Sequence, residues 1–329
     1  MTTRRKFVAG TIVAAVAASS RRSRAQASVQ IRISTAAPPS DFLTKALNQL
    51  KAEVDKAAVG LDVSVHPAST LFKQGTEVPA IQRGNLEMST MTTFEVAQQI
   101  PQLGYFNRAY LFADYDQMRR VIDGPLGDDY RKAVADKMGI EILATHYLGT
   151  RQLNLRQKRS VKTPADLAGV KMRMPAGPEW LLLGDTLGVT PVPLGMPEVY
   201  LALKTGTVDG QENPLSILDA AKFYEVTEQI VLTAHMVQPV FFNIGKPVWD
   251  KLDADQKKAL GDACRRAAKG GDDARLGDEK AITSALKTRG LAVDTIDLAP
   301  FRDNADSVYA KSDLAKQWDT AAMQRARKA

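Results

Sequence analysis

The sequence holds a single cysteine, Cys264, so no internal disulfide can form. It falls in a helical pattern with no histidine near it in the sequence to activate it. The thiol therefore reads as a buried structural group, not a nucleophile. Histidine is scarce too: His66, His146 and His235 are scattered without the spacing of a metal site. There is no G-x-S-x-G elbow, no H-E-x-x-H and no phosphate-binding loop. The apolar run from Val8 to Ala18 is too short to cross a bilayer. These absences remove disulfide scaffolds, zinc hydrolases and nucleotide-phosphate enzymes from consideration.

The N-terminus reads as a targeting segment. Arg4 and Arg5 precede a mild, Ala-rich core, and Ala25-Gln26-Ala27 is a small-x-small cleavage pattern. This predicts an export signal over residues 1–27, of the twin-arginine type, with the Sec route as the alternative. The segment carries six basic residues and no acidic one. The whole chain has 44 Lys+Arg against 37 Asp+Glu, so without the leader 38 face 37 and the net charge falls from +7 to +1. The basic pI belongs largely to the leader, and nucleic-acid binding loses its compositional support.

About 300 remaining residues suggest two domains. Val29–Ser34 alternates as a strand, and Ser40 is placed to cap a helix from 41 to 57 with Leu43, Leu47, Leu50 and Val54 on one face. A strand at Leu61–His66, a helix at 74–83 and a strand at Leu86–Thr90 complete a βαβαβ opening. That opening implies a parallel sheet with functional loops at its strand ends. Helices at 114–122 and 124–137 and a strand at Ile140–Thr145 lead to a crossing into a second domain at Gly149. There a short helix begins at Thr163-Pro164, followed by helices at 178–187 and 196–204. Gln229–Leu232 and Val237–Ile244 read as strands returning toward the first domain. A long helical pattern covers 255–289, with Gly270-Gly271 marking an expected kink or break. A last strand, Leu291–Ile296, and helix over 298–326 against the second domain close the chain.

The informative stretch is Gly149–Pro214. Arg173 sits near the end of Val170-Lys171-Met172-Arg173-Met174, which Pro175 stops: a short strand with a charge at its C-terminal mouth. Ligands of open α/β sheets sit outside such strand ends. A guanidinium there matches a carboxylate with two parallel hydrogen bonds. Arg151 opens a run of alternating character, and Asn213 lies in a turn-forming run, Asp209–Pro214, where it offers donor and acceptor together.

Several segments, in order and spacing, together resemble one family: Gly149-Thr150-Arg151, Pro164–Arg173, Pro191-Val192-Pro193-Leu194, Glu198–Leu203 and Gly206–Pro214. It is the periplasmic solute-binding protein of tripartite ATP-independent periplasmic (TRAP) transporters, the DctP family. The resemblance implies a type II, two-lobed α/β fold like that of periplasmic binding proteins. Two mixed or parallel sheets are flanked by helices, and one long helix spans both lobes. The expected lobes are 28–149 plus about 239–278, and 150–238 plus about 279–329. It implies a periplasmic, monomeric protein without cofactor, enzyme activity or nucleic-acid partner. Such a protein would deliver a small organic acid to the small and large TRAP membrane subunits. Arg173 is expected to grip the carboxylate, with Arg151 and Asn213 assisting.

Some positions depart from the family pattern. Thr70 replaces the usual glutamine, the Pro-Phe pair near Phe112 is missing, and Met196 stands where an aromatic residue is usual. Thr92 takes the place of the glutamate of sialic-acid-binding members. With Thr92, Phe94, Trp180 and Met196 as candidate walls, the expected ligand is a modest monocarboxylate with an apolar or aromatic body. Two alternatives remain: an exported enzyme acting on a carboxylate, with Glu198 or Glu212 beside Arg173, and a binding protein feeding a sensor kinase.

Overall fold

The structure, a computed structural model, describes residues 28–329; the expected leader lies outside the described residues. The chain begins with β1 (Val29–Ser34), whose alternation buries Ile31 and Ile33 completely. α1 (Phe42–Ala57) follows with the expected apolar face. Its cap is Asp41 and not Ser40: the Asp41 carboxylate accepts from Leu43 N–H at 2.8 Å. The Ser40 hydroxyl donates instead to Ala220 O. A carboxylate is the stronger acceptor at a helix N-terminus. β2 (Leu61–His66), α2 (Glu77–Gln82), β3 (Met88–Thr92) and α3 (Thr93–Gln99) complete the βαβαβ opening. β1 pairs in parallel with both β2 and β3.

α4 (Tyr115–Ile122) and α5 (Pro125–Met138) lead into β4 (Ile140–Leu155). The second half adds β5 (Lys171–Met174), α6 (Pro178–Leu187), β6 (Thr190–Pro193) and α7 (Val199–Thr205). Next come β7 (Gly210–Pro214), α8 (Leu215–Ala220), β8 (Gln229–Gly245) and α9 (Lys246–Trp249). The chain ends with α10 (Ala254–Thr288), β9 (Ala292–Thr295), α11 (Ala299–Lys311) and α12 (Thr320–Lys328).

β4 and β8 are far longer than their sequence patterns suggest. They run antiparallel side by side and pass from one lobe to the other. The order is β2-β1-β3-β8-β4-β7-β5-β6, with β9 on β8. The expected two sheets are thus the two ends of one hydrogen-bonded ladder. The pairing of β4 with β8 slips between Tyr147 and Gly149 and again between Arg151 and Leu153. Such irregularities bend strands, and here they lie where the lobes meet.

Asp209–Pro214 is not a turn. Its last five residues are β7, wholly buried between β4 and β5. Strand neighbours and buried partners for its polar side chains override the local turn propensity. Nor do Gly270-Gly271 break α10, which is one helix of 35 residues. A Cβ on Gly271 would lie 2.6 Å from the His146 ring, so close approach to β4 explains that glycine. α10 spans both lobes: Arg275 reaches Asp41 before α1 at 2.9 Å and also donates to Ser216 in α8. The chain end also departs from expectation. From Trp318 onward it returns to the first lobe: Asp319 N–H donates to Gln102 O, and Gln117 donates to Ala326 O. The buried stripe Trp318, Ala322 and Ala326 supplies the packing.

Candidate functional site

A cleft lined by residues from both halves of the chain lies where the lobes face each other. Arg173 reaches it from the C-terminal end of β5, flanked by β6 and β7. Its side chain is essentially buried. Nε donates to Leu194 O at 2.9 Å, and Nη2 donates to Gln74 Oε1 at 2.9 Å. Among the described residues no carboxylate lies within ion-pair distance of it. Burial draws its pKa down from 12.5 to about 9, and neighbouring Arg151 pushes the same way, against Glu212 and Glu198. The site thus holds a desolvated positive charge whose two hydrogen-bond acceptors, Leu194 O and Gln74 Oε1, are both neutral.

Arg151 also lines the cleft, but its charge is matched. Its guanidinium donates to both carboxylate oxygens of Glu212 at 2.5 Å, to Glu212 O and to Gln238 Oε1. Glu212 is fully buried and meets His235 Nε2 at 3.0 Å. Burial works to raise Glu212, but Arg151 and His235 outweigh it and hold the carboxyl below its ordinary range. Burial lowers His235 more than Glu212 raises it. A neutral imidazole can then donate from Nε2 to Glu212 and accept Thr233 Oγ–H at Nδ1. This supports a structural role beneath the cleft floor.

Of the seven residues singled out in the sequence, six line the cleft: Arg173, Arg151, Asn213, Met196, Thr92 and Trp180. Phe94 does not. It lies behind Trp180, stacked at 3.5 Å between ring centroids with the planes 6° apart. Its place on the core side of α3 sends the ring into the protein, and Trp180 covers it. Trp180 in turn lies under Arg151, 5.0 Å from ring centroid to guanidinium carbon. Asn213 donates to Gln211 Oε1. Thr92 caps α3, its hydroxyl bonded to Glu95.

The cleft is more polar than the sequence suggested. Gln74, Glu77, Thr90 and Glu95 line it from the first lobe, and Gln238 lines it beside Arg151. Gln74 Oε1 accepts from both Arg173 and Met196 N–H, so it ties the first lobe to the second. Burial raises Glu77 to about 7, with Glu95 adding to the rise, and burial likewise raises Glu95. Gln238 Nε2 is buried without a partner. Two signals were readable: Thr90-x-Thr92 alternates on one strand face, and Thr92-x-x-Glu95 is a capping box. The Glu212–His235 pairing has no local signature.

The family model for bacterial extracellular solute-binding protein family 7, DctP, matches residues 33–315. The chain belongs to this family. DctP proteins are the extracytoplasmic solute-binding components of TRAP transporters, and the relatives bear this out. A solute-binding protein of Verminephrobacter eiseniae is 34% identical over 308 residues, covering 93% of this chain and 90% of the relative. A sialic acid-binding periplasmic protein of Vibrio cholerae is 28% identical, covering 77% and 78%. A TRAP periplasmic solute-binding protein of Roseobacter denitrificans, solved with bound 3-deoxy-D-manno-oct-2-ulosonic acid, superposes with a TM-score of 0.88 at 36% identity. That match covers 92% of this chain and 99% of the other. The two-lobed type II fold of the DctP family is therefore the fold of this chain, and the protein is periplasmic.

Proposed function

We propose that this DctP-family protein captures a polyhydroxylated organic acid between its lobes and presents it to the TRAP membrane subunits. Arg173 carries the reading: a buried guanidinium facing a cleft, with no anion of its own, is completed by a carboxylate. Gln74, Glu77, Thr90 and Glu95 on the facing wall, and Gln238 beside Arg151, can bond hydroxyl groups along the ligand body. That polarity favours a sugar acid over the apolar or aromatic acid expected from sequence. The Roseobacter denitrificans relative, with its eight-carbon sugar acid, points the same way. Lobe closure excludes water and strengthens the ion pair. The closed form is then the one a membrane partner selects.

No chemistry on the ligand belongs to this reading. Glu212 is fully engaged by Arg151 and His235, and Glu198 accepts from Gly195 N–H. The protein works as a monomer, exported through a leader at 1–27 and processed near Ser28. Its lobes are 28–149, about 239–278 and 318–329 for the first, and 150–238 and about 279–317 for the second. Calorimetry on the mature protein with 3-deoxy-D-manno-oct-2-ulosonic acid, L-galactonate, pantoate and a branched keto acid tests the ligand class. Saturable binding of a sugar acid, abolished in Arg173→Met, supports it. Binding of the keto acid alone, or sugar-acid binding unchanged in Arg173→Met, overturns it.

A further inference from the structure

A second concavity opens where the 108–113 segment, β8, α11 and α12 meet. Arg108, Arg302 and Arg327 line it, against one acidic residue, Asp306. The Arg108 side chain is only 6% exposed. Its Nη1 donates to Ala109 O at 2.7 Å and its Nη2 to Asp306. Burial lowers the Arg108 pKa, and the charge of Arg327 adds to the lowering. Asp306 is more than half exposed, so water screens the one compensating charge. Among the described residues, no carboxylate lies within ion-pair distance of Arg302 or Arg327. Arg302 sits over the Tyr110 ring, 5.5 Å from its centroid.

The groove beside α4 and α10 makes a useful contrast. It also gathers arginines, but there Arg119, Arg131 and Arg265 each pair with an aspartate. The concavity keeps its excess charge. Its walls are also held in place: Tyr110 and Ala234 adopt φ of 59° and 41°. Tyr110 N–H donates to His235 O, and its hydroxyl donates to Thr233 O. Strained non-glycine residues fixed around a concave wall are typical of ligand clamps.

We propose that this basic concavity is a second binding site, for a small oxyanion of the carboxylate or phosphate class. Three arginines line this hollow, and Arg302 and Arg327, exposed and without a carboxylate partner among the described residues, can offer paired donors to such an anion. The anion would bridge the 108–113 segment to α11 and α12. The site is separate from the Arg173 cleft and does not depend on it.

The test titrates inorganic phosphate and, separately, citrate into the mature protein. Ionic strength is held constant with sodium chloride, and calorimetry and the thermal midpoint are read. Three proteins are compared: wild type, the double variant Arg302→Gln with Arg327→Gln, and Arg173→Met. Saturable binding of at least one probe is expected in wild type and in Arg173→Met. In the double variant it weakens by about tenfold or more, the loss of a charge-assisted pair. The preferred probe then assigns phosphate or carboxylate. The proposal is overturned if neither probe binds beyond the chloride control or if the double variant binds as well as wild type. It is also overturned if Arg173→Met abolishes the binding, which would place the anion in the ligand cleft.

Discussion

Arg151 and Arg173 line the same cleft, yet replacing each with methionine should move stability in opposite directions. Burial draws Arg173 from 12.5 to about 9, a difference equivalent to an upper limit of roughly 5 kcal/mol of strain on the fold. Because the native value is the lower one, this cost is present in full below pH 9 and so at every physiological pH. Arg173→Met lifts it. The variant forfeits hydrogen bonds to Leu194 O and Gln74 Oε1, each worth about 1 kcal/mol. The net expectation is a gain of about 1–3 kcal/mol, a rise of roughly 2–6 °C in thermal midpoint. Binding of an organic acid should fall by about 30-fold to several thousand-fold, since the carboxylate would be desolvated without a partner.

Arg151→Met does the reverse. It leaves Glu212 fully buried, with His235 as its one remaining side-chain partner. Stranding a buried charge typically costs about 3–5 kcal/mol, here a fall of roughly 6–12 °C. Scanning calorimetry with urea unfolding reads stability, and ligand titration reads binding. If Arg173→Met is destabilised as much as Arg151→Met, the Arg173 charge is already compensated within the fold. The argument for an anion at that site then collapses.

Glu77→Gln tests the cleft wall. With Glu77 raised to about 7, the native state holds its proton where the unfolded chain has lost it. The contribution of Glu77 to wild-type stability should therefore fall as pH rises from about 4.5 to 7, by on the order of 1–3 kcal/mol. The slope should flatten in Glu77→Gln, and an unchanged pH profile refutes the assignment. Gly271→Ala gains helix propensity of about 1 kcal/mol but drives a methyl group to 2.6 Å from the buried His146 ring. A net loss of about 1–2 kcal/mol is expected, and a stabilised variant in urea unfolding would remove the packing explanation. Cys264 is fully buried and burial pushes its thiol pKa up. Iodoacetamide should leave the native protein unmodified and label it only in denaturant; rapid native labelling, read by mass, would contradict the burial.

Much was legible in the sequence because it rests on local rules. Period-2 and period-3.6 patterns located β1, β2, α1 and α6, and Pro175 after Arg173 marked a strand mouth. The two-lobed class came from the resemblance of segments within Gly149–Pro214 to the DctP family, and six of the seven residues singled out line the cleft. Local rules failed where distant segments supply the energy. Gln211, Glu212 and Asn213 read as turn-formers until β4 and β5 enclose them as a strand. β8 reads as two strands because Thr233, Ala234 and His235 break its pattern, and only pairing with β4 makes it one. Phe94 read as a wall because composition cannot say which side of a helix a ring takes. The resemblance singled out Arg173, but the physical reason belonged to tertiary structure alone: Arg151 is neutralised and Arg173 stays available to an anion. Arg151 and Arg173 look alike in the chain. Their difference lies in a glutamate 61 residues away that folding brings to one of them and not to the other.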